Sequence, residues 1–144
     1  MVARKKALKC FLVLCLGVWV VFVGLVPAID AQQKVKYTGT FTSLEFNQEG
    51  GDLLGEEIHI VLTQKGYQGA LQISEGEPSQ IILVQVVFDQ SNSVRFEIPS
   101  SSPSYGGGVF DGKIDSLGIK GVLRLKGGVE NLIKWKRGRS YWDK

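Results

Sequence analysis

The stretch VFDGKIDSLGIKGVLRL, residues 109–125, decides the fold. Its bulky apolar residues Phe110 and Ile114, then Ile119, Leu123 and Leu125, fall on alternate positions within each half, and Ser116 marks a turn between the halves. A period of two belongs to a strand with one buried face. In each half a glycine lies midway between two bulky residues of the same face: Phe110-x-Gly112-x-Ile114 and Ile119-x-Gly121-x-Leu123. The same form recurs at Tyr37-x-Gly39-x-Phe41 and Tyr67-x-Gly69-x-Leu71. An interior glycine weakens a strand and marks a bend or a close backbone approach. Four of them beside bulky neighbours predict strongly coiled strands whose aromatic side chains cover the gaps. That is how a small sheet curls into a barrel and removes its edges.

Extending the alternation outward predicts strands at about 36–44, 57–64, 66–74, 80–89, 93–98, 108–115, 117–126 and 129–137. Turn signals separate them: NQEGGD (47–52), Lys65-Gly66, EGEPS (75–79), QSNS (90–93), Ser116 and Gly127-Gly128. GGDLLGEE, 50–57, is the one place where a helical turn fits. Short links make sequential strands neighbours in an antiparallel meander. The longer link, 98–108, is rich in Ser, Pro and Gly and is expected to cross an end of the structure or cover an opening. The expectation is an all-β chain, an eight-stranded antiparallel meander closing into a small up-and-down barrel.

The inward face is then Tyr37, Phe41, Ile58, Ile60, Leu62, Tyr67, Leu71 and Ile73 in the first half. Val94, Phe96, Ile98, Phe110, Ile114, Ile119, Leu123, Leu125, Ile133 and Trp135 continue it in the second. IILVQVVF (81–88) is apolar on both faces, but Gln85 interrupts the odd positions, so Ile82, Val84, Val86 and Phe88 point inward. An eight-stranded barrel is just wide enough to be filled by its own side chains or to hold one small ligand.

Ahead of the barrel, Arg4, Lys5, Lys6 and Lys9 precede an apolar run from Phe11 to Ile29. A basic start, an apolar core and small residues after it read as a secretory signal peptide over residues 1–31, forming a signal helix. Cleavage after Ala31 leaves Gln32 as the first mature residue, and a cut after Ala28 is the alternative. A membrane span needs roughly 20 apolar residues, so an uncleaved anchor is the rival reading. Pro27 and the small residues after it favour cleavage, and residues 32–144 form a single periplasmic or secreted domain.

Removing residues 1–31 takes four of the 17 bases and one of the 14 acids, leaving 13 of each. The chain therefore loses its basic character, and with it the case for nucleic acid as a partner. Both cysteines, Cys10 and Cys15, leave too, so disulfides, thiolate metal sites and Cys nucleophiles are excluded. The remaining charge is divided: residues 32–111 hold four bases and ten acids, residues 112–144 nine bases and three acids. Cross-strand ion pairing between the halves is the simpler reading. A basic face that binds an anionic ligand or lipid headgroup is the functional one.

The opening strand YTGTF (37–41), followed by a meander of about eight strands, resembles the calycin-like barrels, lipocalins and avidins, and small exported bacterial β proteins. Those families tend to place Gly-x-Trp in their first strand, where this chain has Gly39-Thr40-Phe41. The resemblance lies in architecture; it implies a lipocalin-like barrel that holds a small ligand and supplies no ligand residues by motif.

Catalytic chemistry finds little material. His59 stands alone between Ile58 and Ile60 and points outward. Glu56-Glu57, Glu75/Glu77 and Asp111/Asp115 read as solvated faces. Ser100, Ser101, Ser102 and Ser104 lack a nucleophile elbow, and Gly106-Gly107-Gly108 lacks the Lys-Ser/Thr of a phosphate loop; both read as flexible linker. In KWKRGRSYWDK (134–144), bases alternate with Trp135, Tyr141 and Trp142, and packing of the last two over one end of the barrel is expected. The leading functional expectation is a non-enzymatic, exported barrel, without cofactor or metal, that binds a small apolar or amphipathic ligand or lipid. Tyr37, Phe41, Tyr67, Phe96, Phe110 and Trp135 are its candidate ligand residues. An envelope protein–protein interaction or inhibitor module with a filled core is the alternative, and membrane contact is confined to the N-terminal segment if it is uncleaved.

Overall fold

A computed structural model describes residues 34–102 and 105–143; the proposed signal segment lies outside them. Nine strands run antiparallel: β1 (Gly39–Thr42), β2 (Glu45–Asn47), β3 (Asp52–Thr63), β4 (Gly66–Gly76), β5 (Ile82–Phe88), β6 (Ser93–Ile98), β7 (Gly108–Ile114), β8 (Gly118–Leu125) and β9 (Glu130–Gly138). From β3 to β9 each strand pairs with the next. β1 then pairs with β9 on one side and β3 on the other, closing an eight-stranded barrel to which β2 is an addition. The segment 50–57 is strand from Asp52 onward, not a helical turn, because Leu53–Gly55 pair with Ser74–Gly76 across the β3–β4 ladder.

The single strand expected at 36–44 is shorter and in two pieces. β1 and β2 share one register against β3, with Phe41 opposite Ile58 and Glu45 opposite Leu54. Between them the ladder is distorted at Ser43. The Glu56 N–H donates to the Ser43 hydroxyl (3.0 Å) while the Ser43 N–H donates to the Glu56 carbonyl (2.7 Å). Next to Glu56 on β3 lies Gly55, at φ +102°, where a Cβ would stand 2.5 Å from the Ser43 carbonyl oxygen. Only glycine is comfortable in that conformation and that space.

One end of the barrel, here the lower, carries the turns 63–66, 88–93 and 114–118 and receives the incoming chain. There Tyr37 stacks on Phe88 (4.3 Å between centroids), meets the edge of Tyr67 and donates its hydroxyl hydrogen to Asn92. The upper end is crossed by the 98–108 link, whose Tyr105 packs on the core. Ser102 is buried in that link and its carbonyl accepts the Gly106 N–H, so these described residues of the link are held in place.

The inward face is as the alternation predicts except at Leu62, which is 63% exposed because it lies beyond the last core layer, next to the lower turn. The centre is filled. Phe41, Ile58, Leu71, Phe110 and Ile119 have no accessible surface, and Phe96 and Trp135 have 2%. A void wide enough for one water would leave accessible surface on the side chains around it. Phe96, Phe110 and Trp135 stack in sequence, with Phe110 4.9 Å from one and 5.2 Å from the other.

Glycine makes that stack possible. Gly112 and Gly121 face each other across β7 and β8. A Cβ on Gly121 would lie 2.6 Å from both the Phe110 ring and the Gly112 Cα. The ring therefore occupies the volume two side chains would need. Gly121→Ala should destabilise the fold by about 1–3 kcal/mol, the usual cost of overpacking, which denaturant titration would measure; an unchanged midpoint would refute this account of the stack.

Candidate functional site

The six residues expected to hold a ligand do not form one open site. Phe41, Phe96, Phe110 and Trp135 lie in the closed centre, while Tyr37 and Tyr67 belong with Phe88 to the half-buried cluster at the lower end. A small apolar molecule reaches the first four only if strands part.

Polar groups line the wall near the upper end instead. Glu56 points inward and is half-buried, accepting hydrogen bonds from the Ser43 hydroxyl (2.7 Å) and the Trp135 indole N–H (3.3 Å). Glu57 points outward yet is buried, because the chain end folds back over it: its carboxylate accepts from the Ser140 hydroxyl (2.5 Å) and the Tyr141 N–H (2.8 Å). Neither is a solvated face, contrary to the expectation. Sequence distance hid this, since every partner but Ser43 lies 79 to 84 residues away. The same fold-back places Trp142 against Gln72, with its indole N–H donating to the amide oxygen (2.9 Å). Tyr141 and Trp142 thus cover the side of the barrel at β3 and β4, not its end.

Other sequence candidates resolve into structure. His59 is exposed and hydrogen-bonded through Nδ1 to the Thr40 hydroxyl (2.8 Å). Asp115 lies in a turn, where its carboxylate accepts the N–H groups of Leu117 and Gly118; those bonds hold it below the usual carboxylate range. Among the described residues no three His, Cys, Asp or Glu side chains gather where a metal ion could be held.

Among the described residues one ion pair, Asp111 with Arg124, joins the two halves of the divided charge; the others form within a half. On the outer wall Asp111 joins Arg95 (2.6 Å) and Arg124 (3.2 Å), and Arg124 also reaches Glu130 (2.8 Å). Lower on the same wall the pattern reverses. Lys113 faces Lys120, and Lys120 faces Lys134, so three exposed ammonium groups occupy one row across β7, β8 and β9. Cross-strand partners are about 4.5–5.5 Å apart at Cβ, where like charges repel. Relief is slight: Asp115 stands 4.0 Å from Lys120, and Lys113 donates to the Ser91 carbonyl (3.3 Å). Lys134 has no ion pair among the described residues, nor has Lys136, two residues on along β9.

The row ends at an opening. Pairing of β1 with β9 stops at Thr42 and Lys136, where β2 leaves the barrel wall. A cleft of about 650 Å3 results, lined on one side by Thr42–Phe46 and Gln48 and on the other by Lys134, Lys136, Arg137 and Gly138, with Tyr141 beside them. No signal in the sequence marks it, because the alternation runs through Ser43 without interruption. No family model, curated protein or solved structure matches this chain.

Two measurements check these electrostatics. Burial first, then the charges of Glu75 and Glu56, push the Tyr105 hydroxyl up to about 12 from its ordinary 10. The folded state favours the neutral phenol, so this contribution is whole below pH 10 and is lost as pH rises through 12. A stability–pH curve should fall across that window, and Tyr105→Phe should flatten it; an identical slope in the variant would disprove the assignment. Replacing the central lysine, Lys120→Gln, should raise Tm by a degree or two at low salt, with the gain vanishing at high salt. A fall in Tm at low salt would contradict the repulsive row.

Proposed function

We propose that this chain is an exported, non-enzymatic binding module that works through its outer surface, contacting an anionic region of another protein with the wall formed by β7, β8 and β9. The lysine row Lys113–Lys120–Lys134 carries the reading. Repulsion within a row of like charges costs stability, and a surface selected for folding alone would relieve it with an acid, as Asp111 does one row higher. An acidic partner removes the repulsion on binding, so the cost becomes affinity and faster encounter. The filled centre supports a module of this kind over a carrier.

Export rests on the basic and apolar start of the chain. A second reading keeps a small apolar ligand at the lower end, since Tyr37, Tyr67 and Phe88 retain accessible surface there.

The test places a photo-crosslinking residue at Lys120 and, as a control, at the exposed Leu83 on β5, in cells producing the full chain. Position 120 should capture a discrete protein that position 83 does not, and Lys113→Glu with Lys134→Glu should abolish capture. Mass spectrometry of the extracytoplasmic fraction should find a chain beginning at Gln32. Equal capture at both positions, capture that survives charge reversal, or a shift of Tm on adding apolar compounds without any capture would each overturn the reading.

A further inference from the structure

The cleft between β2 and β9 has walls of unpaired strand. In an antiparallel ladder, a residue's N–H and C=O point to the same side, and the side alternates along the strand. The Arg137 N–H donates to the Leu117 carbonyl (2.8 Å) and the Val129 carbonyl accepts from Leu125 (2.9 Å), so odd-numbered residues of β9 face β8. Even-numbered residues face away. Lys136 and Gly138 pair with Thr42 and Thr40 of β1; among the described residues, Lys134 and Leu132 have no strand on that side. On the other wall, the Ser43 N–H goes to Glu56 and the Asn47 carbonyl accepts from Gly51. Phe46 therefore turns its backbone toward the cleft.

The opening is built in. Continuing the register of β1 against β9 would bring Leu44 opposite Lys134. The Leu44 N–H instead donates to the hydroxyl of Thr42 (3.1 Å), so the next donor in line is already satisfied. Ser43 and Gly55 fix the divergence of β2. Both rims carry exposed apolar side chains, Leu132 at 84% and Phe46 at 49%.

We infer that this cleft accepts one extended segment of the acidic partner as an added strand between β9 and β2, with a carboxylate beside Lys134 and Lys136. The inference rests on the reading of the lysine row as a protein-binding surface and names how the partner is held. Backbone pairing to Leu132, Lys134 and Phe46 supplies register, as in other strand-addition complexes. Charge selects the occupant: the exposed Lys134 and Lys136 line the cleft against one carboxylate, Glu45. Those cations continue the row from β7 and β8, so an acidic segment entering here remains beside positive charge on its outer face. A basic or proline-rich segment meets repulsion or lacks donors.

The full chain provides the test, with a fluorescein-labelled octapeptide of alternating glutamate and threonine as probe and a lysine–threonine octapeptide as control. Fluorescence anisotropy should show the acidic peptide binding at least tenfold tighter. Hydrogen exchange read by NMR should show the amides of Leu132, Lys134 and Phe46 becoming protected on binding. Leu132→Pro removes one donor from the cleft edge, where proline is tolerated because that N–H pairs with no strand. It should weaken binding tenfold or more with unchanged Tm, whereas Lys113→Gln should weaken it two- to threefold without altering protection. Binding without amide protection, or full affinity in folded Leu132→Pro, would overturn strand addition while leaving the basic face intact. No preference for the acidic peptide, or protection of the same amides by self-association in its absence, would overturn the occupant; loss of capture at Lys120 is a separate failure, belonging to the broader reading.

Discussion

Four residues close this barrel. Among the described residues Gly39–Thr42 is the only strand that touches both β9 and β3, and without it the remaining seven barrel strands form an open, curled sheet. So short a strand contributes few ladder bonds, and its hold is reinforced from elsewhere. Phe41 is wholly buried, and the Arg137 guanidinium lies 4.4 Å above its ring. The same guanidinium donates to the carbonyls of Thr38 and Lys36, tying the incoming chain to β9 just before the strand begins. Burial lowers the basicity of Arg137, with Asp115 opposing that shift. An arginine suits the position because it holds its charge through such a shift and offers a planar fork to two acceptors.

The end of that short strand is as consequential as its presence. Where β1 stops, β2 follows β3 outward and β9 is left with one neighbour. A closed barrel normally abolishes edges; this one keeps a short pair of them at one place, beside the lysine row. Lysine at an exposed edge is also a common guard against unwanted pairing, and Lys134 serves that purpose against basic or neutral strands. The two roles agree, since a guard that repels most strands admits the complementary one.

Much of this was legible from residue order. Period-two patterning located the barrel strands to within a few residues except at the start of β3, whose first five residues, Asp52 to Glu56, it missed; the paired Gly-x-bulky motifs foretold the coiling that Phe110, Gly112 and Gly121 realise. Asparagine, glycine and serine clusters marked the turns because those residues satisfy or tolerate turn backbones. What the order concealed depends on contacts across long separations. YTGTFTSLEF alternates smoothly through Ser43, so the break between β1 and β2 has no local signal; it arises from Gly55 and Glu56 on the facing strand. GGDLLGEE looked able to turn because its glycines suit turns, yet Gly55 serves a left-handed position inside a strand. Glu57 looked solvated because its cover, Ser140 and Tyr141, comes from the other end of the chain. The lysine row is invisible until Lys113, Lys120 and Lys134 are placed side by side, seven and fourteen positions apart in sequence.

The closure between Thr42 and Lys136 also sets the order in which the structure can be completed. Every other pairing joins strands that are consecutive or nearly so, and these can zip as the chain emerges, each hairpin templating the next. β1 can lie on β3 early, but its other side has nothing to meet until Gly138 has appeared. Chains are made and folded from the N-terminal side. The first barrel strand therefore waits until β9 has been made with one row of backbone groups unmatched. The hazard of mispairing for this molecule is measured in elapsed chain length, and strengthening an individual hairpin would not shorten it.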